Sequence, residues 1–129
     1  MAMNPILKKL HFKGQSPVLV LAAPAEFKDT KAAFEVPVHS AAKGRYGFVL
    51  AFAKSQAEAT AHAKAAKKAL ADEHSLLWLA YPKGSSKKYQ ADVNRDSLHA
   101  LMEKHGFDGV SLVALDADWS AMRFKPVGR

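Results

Sequence analysis

The chain has 129 residues, of which 49% are apolar or aromatic and 24% are charged. This length and balance exclude a disordered chain and predict one folded domain spanning residues 1–129 with a single core. The absence of cysteine excludes disulfide bonds, thiol catalysis and metal sites built on thiolates.

The formal charge is +7, from 19 lysines and arginines against 12 acidic residues. A basic protein attracts anions through a salt-screened field. These basic residues are scattered along the chain and interrupted by acids, so nucleic-acid binding is the weaker alternative among the partner hypotheses. Residues 1–12 contain Lys8 and Lys9 and lack the long apolar stretch of a signal peptide or membrane helix, which predicts a cytoplasmic protein without a membrane partner.

Three continuous apolar runs predict strands that are covered on both faces, at residues 17–23, 48–53 and 76–81. Residues 34–38 also alternate in polarity, but Pro37 cannot donate a hydrogen bond to a neighbouring strand. We therefore expect this segment to lie at an edge of the sheet or to be irregular.

Helix signals follow the first two runs. Residues 24–29 begin with a proline and contain an early acid, which predicts the first turn of a short helix. Ser55 and Glu58 have the spacing of a capping box, so we expect the longest helix to begin there and to end at about Ala71.

The last third of the chain predicts a helix and a hairpin. The helix spans about 95–105, with Asn94 or Asp96 as its cap. Residues 110–115 and 119–124 are two apolar segments joined by a short polar connection, which favours an antiparallel hairpin. The alternation of strands and helices predicts an α/β fold with three layers: a mostly parallel sheet flanked by helices, ending in a C-terminal antiparallel hairpin.

Two resemblances add to this prediction. The sequence of residues 77–88, followed by Asp92-Val-Asn-Arg-Asp96 and by Asp118-Trp-Ser-Ala-Met-Arg-Phe124, resembles a family of small bacterial proteins classed as a domain of unknown function. The order of elements is also similar to the later half of S-adenosylmethionine-dependent methyltransferases, which implies a degenerate Rossmann-like, methyltransferase-like sheet. Those enzymes have a glycine-rich turn after their first strand, where this chain has residues 21–26 without glycine, so we predict no cofactor.

The loop after Tyr81 is the predicted ligand site, because ligands of open α/β sheets bind beyond the carboxyl ends of the strands. Gly84 allows a close backbone approach, and the neighbouring side chains offer ammonium, hydroxyl, aromatic and carboxylate groups. The predicted ligand-binding residues are Lys83, Ser85, Ser86, Lys87, Lys88, Tyr89, Asp92 and Arg95. The alternative interpretation is a solvated loop whose carboxylates cap the next helix and pair locally.

Function stays open between two main hypotheses. The first is a non-catalytic binding or interaction module for a small anionic ligand or a protein partner, with a homodimer left open. The second is a small enzyme acting on an anionic or nucleotide-like substrate, with Lys83 as its electrostatic group and Asp92 as an acid or orienting residue. No histidine pair has the spacing of metal ligands in a His-Glu-x-x-His motif, so we predict no metal site.

Overall fold

A computed structural model describes residues 4–72, 74–84, 86 and 89–127. The helices are α1 (Pro5–Lys9), α2 (Lys28–Ala32, preceded by a 3-10 turn at Ala25–Phe27), α3 (Gln56–Ala69) and α4 (Arg95–Lys104). The strands are β1 (Val18–Leu21), β2 (Val38–His39), β3 (Phe48–Phe52), β4 (Leu76–Pro82), β5 (Phe107–Ala114) and β6 (Trp119–Pro126). Within the described residues, no helix is long and apolar enough to cross a membrane.

All six strands form one sheet in the order β2-β1-β3-β4-β6-β5. The pairs among β1, β2, β3 and β4 are parallel, whereas β6 lies antiparallel between β4 and β5. This arrangement confirms the predicted mostly parallel sheet with a C-terminal antiparallel hairpin. It adds a detail that the sequence did not provide, because the last strand inserts beside β4 and leaves β5 at the edge.

Apolar side chains fill both faces of the sheet, so the fold has the three predicted layers. On one face, small buried alanines of α3 and the apolar side of α4 pack against alternate residues of β3 and β4. On the other face, α1 and the segment around α2 cover Phe48, Phe52, Trp78 and Trp119. The continuous apolar runs are therefore explained by strands with two covered faces.

The element boundaries differ from the predictions at identifiable places. Asn94, one of the two predicted caps, begins α4 through a capping box with Ser97. At α3, Ser55 accepts a hydrogen bond from the Glu58 amide, but the Glu58 carboxylate accepts from the Lys54 amide at 2.8 Å. The predicted end of the third run also shifts, since β4 continues through Pro82, which pairs with Trp119.

Helix α1 has no counterpart among the predictions. It begins at the Asn4 cap, whose side-chain oxygen accepts hydrogen bonds from the amides of Ile6 and Leu7. The Trp78 indole then donates a 2.9 Å hydrogen bond to the carbonyl of Leu10. This bond fixes the chain after α1 against a central strand, although Leu10 and Trp78 are 68 residues apart in the sequence.

Candidate functional site

The topological switch point of the sheet lies between β1 and β3. From β1 the chain moves outward to β2 and then returns to form β3 on the other side of β1. The connections on the two sides of this point diverge, which opens a crevice beyond the carboxyl ends of the two strands. The residues that leave β1 and β3 therefore define the first part of the candidate site.

The chain leaves β1 through a tight turn at Ala22. Its φ angle is 57°, in the left-handed region that glycine adopts without a steric penalty. Ala22 is exposed, and the next residues, Ala23 and Pro24, also have small side chains. A ligand can thus approach the backbone here, although the methyl group of Ala22 occupies space that a glycine would leave open.

Two aromatic residues meet a single carboxylate near this turn. Glu26 accepts hydrogen bonds from the Tyr89 hydroxyl and, at 3.1 Å, from the Trp119 indole nitrogen. The Tyr89 and Trp119 rings lie 5.0 Å apart. Glu26 therefore joins the turn after β1 to the loop after β4 and to the start of β6.

Lys54 and Asp92 extend this group toward β3. The Lys54 ammonium lies 5.4 Å from the centre of the Tyr89 ring. The Asp92 amide donates to the Lys54 carbonyl at 3.3 Å, and Asp92 Oδ1 accepts from the Gln56 amide at 2.6 Å. The loop after β4 consequently crosses the carboxyl end of β3. We call Glu26, Lys54, Tyr89, Asp92 and Trp119 the carboxyl-edge cluster.

The hydrogen bond to Glu26 changes the acidity of Tyr89. Because the carboxylate accepts from the phenol, and burial and the charge of Glu26 act in the same direction, the pKa of Tyr89 rises to about 12. Tyr89 therefore stays protonated at neutral pH and acts as a hydrogen-bond donor in the cluster.

A groove continues from the cluster beyond the carboxyl end of β4. One compartment, of about 600 Å³, is lined by Lys83, Ser86, Tyr89 and Asp92 among others. A second compartment of about 410 Å³ shares Lys83. It is also lined by Tyr81, Asn94, Arg95 and Asp96. Both compartments have the size of small-molecule sites.

Tyr81 provides a protonated hydroxyl in the second compartment. Burial raises the pKa of Tyr81, while Arg95 opposes that rise and Asp96 adds to it. Arg95 itself pairs with Asp96 at 3.3 Å, and both side chains are mostly exposed. The ion pair is therefore a surface contact that a ligand can displace at little cost.

A larger groove in the described part of the chain lies elsewhere. It has a volume of about 730 Å³ and runs along α2 beside the edge strand β2, with Ala23, Ala32, Val36 and Val38 in its lining. Its walls are mainly apolar, and it opens at the side of the sheet. We assign the site to the smaller groove, because that groove combines strand ends with converging polar side chains.

The structure brings together part of the predicted site. Lys83, Ser86, Tyr89 and Asp92 line one compartment, and Arg95 lines the other with Lys83. Ser86 also supports the loop, since its hydroxyl donates to Asp118 at 2.9 Å and its oxygen accepts from the Tyr89 amide at 3.2 Å. The predicted residues Ser85, Lys87 and Lys88 lie outside the described residues.

Sequence reasoning missed Glu26 and Lys54 as members of the site. Each follows the carboxyl end of a buried strand, Glu26 by five residues after β1 and Lys54 by two after β3. Their positions after central strands are the sequence signal that could have identified them. The predicted site included only the loop that follows β4.

Comparison with solved structures identifies the fold. CcbJ methyltransferase from Streptomyces caelestis has a TM-score of 0.60 at 11% identity, covering 95% of this chain and 92% of that chain. The glycopeptide N-methyltransferase MtfA, complexed with S-adenosyl-L-methionine, has a TM-score of 0.58 at 13% identity, covering 88% of this chain and 82% of MtfA. LepI in complex with SAM has a TM-score of 0.57 at 12% identity, covering 94% of this chain but 39% of LepI. The chain therefore has a methyltransferase-like α/β fold.

Sequence comparisons add no family to this result. No family model matches the chain, and no curated protein matches it. The likeness to methyltransferases predicted from the order of elements is confirmed, whereas the resemblance to the bacterial domain family stays a prediction.

Two predictions require correction. The hypothesis of a non-catalytic module is wrong, because the structural neighbours are enzymes and favour the alternative of an enzyme acting on a substrate. The predicted partners, a small anionic ligand, a protein or nucleic acid, are wrong as well, because neighbours hold the small molecule S-adenosylmethionine. Net charge contributed to the prediction of anionic partners, but scattered surface lysines do not describe the ligand of a particular crevice.

Proposed function

We propose that this chain is an enzyme that methylates a small molecule, with S-adenosylmethionine as the methyl donor. The observation that carries the proposal is the carboxyl-edge cluster, which gathers side chains from four chain segments at the switch point of a methyltransferase-like sheet. Ligands of such sheets bind at this place.

The chemistry of the cluster fits the proposed donor. S-adenosylmethionine presents an aromatic base and an amino-acid group with both charges. Tyr89 offers a ring face for stacking, and Lys54 offers an ammonium for the carboxylate. The small side chains after β1 leave the backbone open to the ligand.

One position departs from the usual pattern of nucleotide-binding sheets. An acid near the end of the second strand commonly holds the ribose hydroxyls, but here His39 ends β2 and its Nδ1 lies 2.6 Å from the Tyr46 hydroxyl. Together with Ala22 in place of glycine, this departure predicts weak binding of the donor. It does not remove the groups that contact the base and the amino acid.

We assign the substrate to the groove beyond β4. When bound, S-adenosylmethionine supplies an electrophilic methyl group. Lys83 and Tyr81 donate hydrogen bonds that orient the substrate. Asp92 belongs to the carboxyl-edge cluster and also lines the groove. Its carboxylate can therefore orient the group to be methylated or accept a proton from it. Tyr89 keeps its proton and holds the loop to Glu26.

Calorimetric titration with S-adenosylmethionine and with S-adenosylhomocysteine tests the proposal. We expect saturable binding by the unmodified chain and a loss of about tenfold or more in affinity for Lys54→Ala, because a hydrogen bond to a charged group is removed. Lys64→Ala is the matched control, since Lys64 is an exposed lysine on α3 outside the site. The assignment would be overturned if neither compound binds, or if Lys54→Ala and Lys64→Ala lose the same affinity.

A second assay addresses the reaction. The chain is incubated with methyl-labelled S-adenosylmethionine and a panel of small phenols, amines and carboxylic acids, and products are followed by mass spectrometry. Label should appear in one class of compound, and Asp92→Asn should reduce its rate more than it reduces binding of the donor. Transfer that persists unchanged in Asp92→Asn would remove Asp92 from the mechanism.

A further inference from the structure

One half-buried histidine lies between two carboxylates where α4 packs beside the edge strand β5. His99 is in the middle of α4, Glu103 follows one turn later, and Asp108 is the second residue of β5. Gly106, with a φ angle of 86°, lies in the turn that reverses the chain between these elements. The three side chains are 41%, 56% and 55% exposed in that order, so an ion from solvent can reach them.

Gly109 makes room for the imidazole. A Cβ atom at this position would come within 2.7 Å of His99 Cδ2, which is closer than real side chains approach, and within 3.3 Å of its Nε2, which is a tight contact. The ring therefore lies directly against the backbone of β5. This close approach holds the imidazole beside Asp108, which adjoins Gly109 in the strand.

A metal ion binds one imidazole nitrogen, so the two carboxylates, which face different nitrogens of His99, have to rotate toward the same one. His99 Nδ1 lies 3.8 Å from Glu103 Oε1, and Nε2 lies 3.8 Å from Asp108 Oδ1. One nitrogen and one oxygen from each carboxylate are all within 4.8 Å of one another. Ligands of a zinc ion at about 2.1 Å stand about 3 to 3.5 Å apart, so rotation of the exposed carboxylates can close the set.

The geometry points to a binding site for a divalent transition-metal ion on His99, Glu103 and Asp108, separate from the carboxyl-edge cluster. An imidazole with two carboxylates suits Zn²⁺, Co²⁺ or Mn²⁺, and the exposed position leaves coordination places for water. The bound ion links α4 to the edge strand β5. Lys125 is the cross-strand neighbour of Asp108 in the hairpin.

Zinc binding tests the site directly. Competition titration with a chromophoric zinc chelator should give one saturable site on the unmodified chain, with affinity reduced about tenfold or more in His99→Ala and in Asp108→Asn. The matched control is His105→Ala, because His105 ends the same helix outside the three ligands. Glu103→Gln should lower the affinity as well, and thermal unfolding of this variant separates a loss of binding from a folding defect.

Cobalt substitution provides an independent readout. Co²⁺ should give a visible absorption spectrum that changes in Glu103→Gln and is lost in His99→Ala, whereas His105→Ala should reproduce the spectrum of the unmodified chain. Two results would overturn the site: no saturable zinc binding, or affinities that fall equally in the His99 and His105 variants. Either result would mean that His99 pairs with Glu103 and Asp108 without binding a metal ion.

Discussion

The Gln56 amide donates a 2.6 Å hydrogen bond to Asp92 Oδ1, and the Gln56 side chain donates to the Asp92 carbonyl at 3.1 Å. These bonds join the first residue of α3 to the end of the loop after β4. Asp92 therefore serves as a cap for a helix that is distant in sequence. The same contact holds the loop across β3, where the candidate site lies.

Replacement of Asp92 by alanine should destabilise the fold. The change removes an acceptor at the start of α3, and we expect a loss of about 1 kcal/mol in the free energy of unfolding. Denaturant unfolding measures this loss, with Asp96→Ala as the control because Asp96 pairs with Arg95 at an exposed position. Equal effects of the two substitutions would show that the Asp92 bond contributes nothing specific.

Ala22→Gly should stabilise the chain, because glycine accepts a φ angle of 57° without the strain that alanine carries. We expect a gain of about 0.5 to 1 kcal/mol after the larger entropy of unfolded glycine is included. The matched control is Ala32→Gly in α2, where the same change should cost about 0.5 to 1 kcal/mol. A loss of stability at both positions would contradict the strained turn. Under the proposed function, Ala22→Gly should also tighten binding of S-adenosylmethionine.

The raised pKa of Tyr89 predicts a loss of stability at high pH. The unfolded tyrosine loses its proton near 10.0, whereas the folded one keeps it to about 12. The contribution of the Tyr89 hydrogen bond is fully present below pH 10 and disappears as the pH rises between these two values. Unfolding measured across this window should show the decline, and Glu26→Gln should reduce it. An unchanged pH profile in Glu26→Gln would refute the link between the two residues.

Trp78→Phe should be among the most damaging substitutions in the core. Trp78 is fully buried, and its indole donates to the Leu10 carbonyl at 2.9 Å, so the change leaves a cavity and an unpaired acceptor. We expect a loss of about 2 to 4 kcal/mol. Leu112→Ala, at a side chain that is 45% exposed, should cost less than about 0.5 kcal/mol. Similar losses for both would contradict the role assigned to the indole.

The sequence predicts the central strands well because β3 and β4 are continuous apolar runs, a pattern that does not depend on distant contacts. It predicts α4 because the capping residues Asn94 and Ser97 are only three residues apart, so the cap is local in the chain. Helix α1 is missed, since its five residues are stabilised by the Asn4 cap and by burial of Leu7 rather than by a long apolar pattern. The insertion of β6 between β4 and β5 depends on pairing between distant segments.

The candidate site is only half predictable for the same reason. Tyr89 and Asp92 lie in a loop that follows a recognisable strand, so the sequence places them near strand ends. Glu26 joins them through hydrogen bonds to Tyr89 and Trp119, which lie 63 and 93 residues away. Contacts at such separations depend on strand order, and one sequence does not determine that order.

The most direct test of the proposed function is a nitrogen-proton correlation spectrum of the chain during titration with S-adenosylhomocysteine. Our account predicts saturable shifts in the amides of residues 22–26 and 54–56 and in the loop after β4, with the amides of β5 unaffected. Spectra that do not change, or shifts confined to the groove along α2 and β2, would contradict the assignment of the donor to the carboxyl-edge cluster.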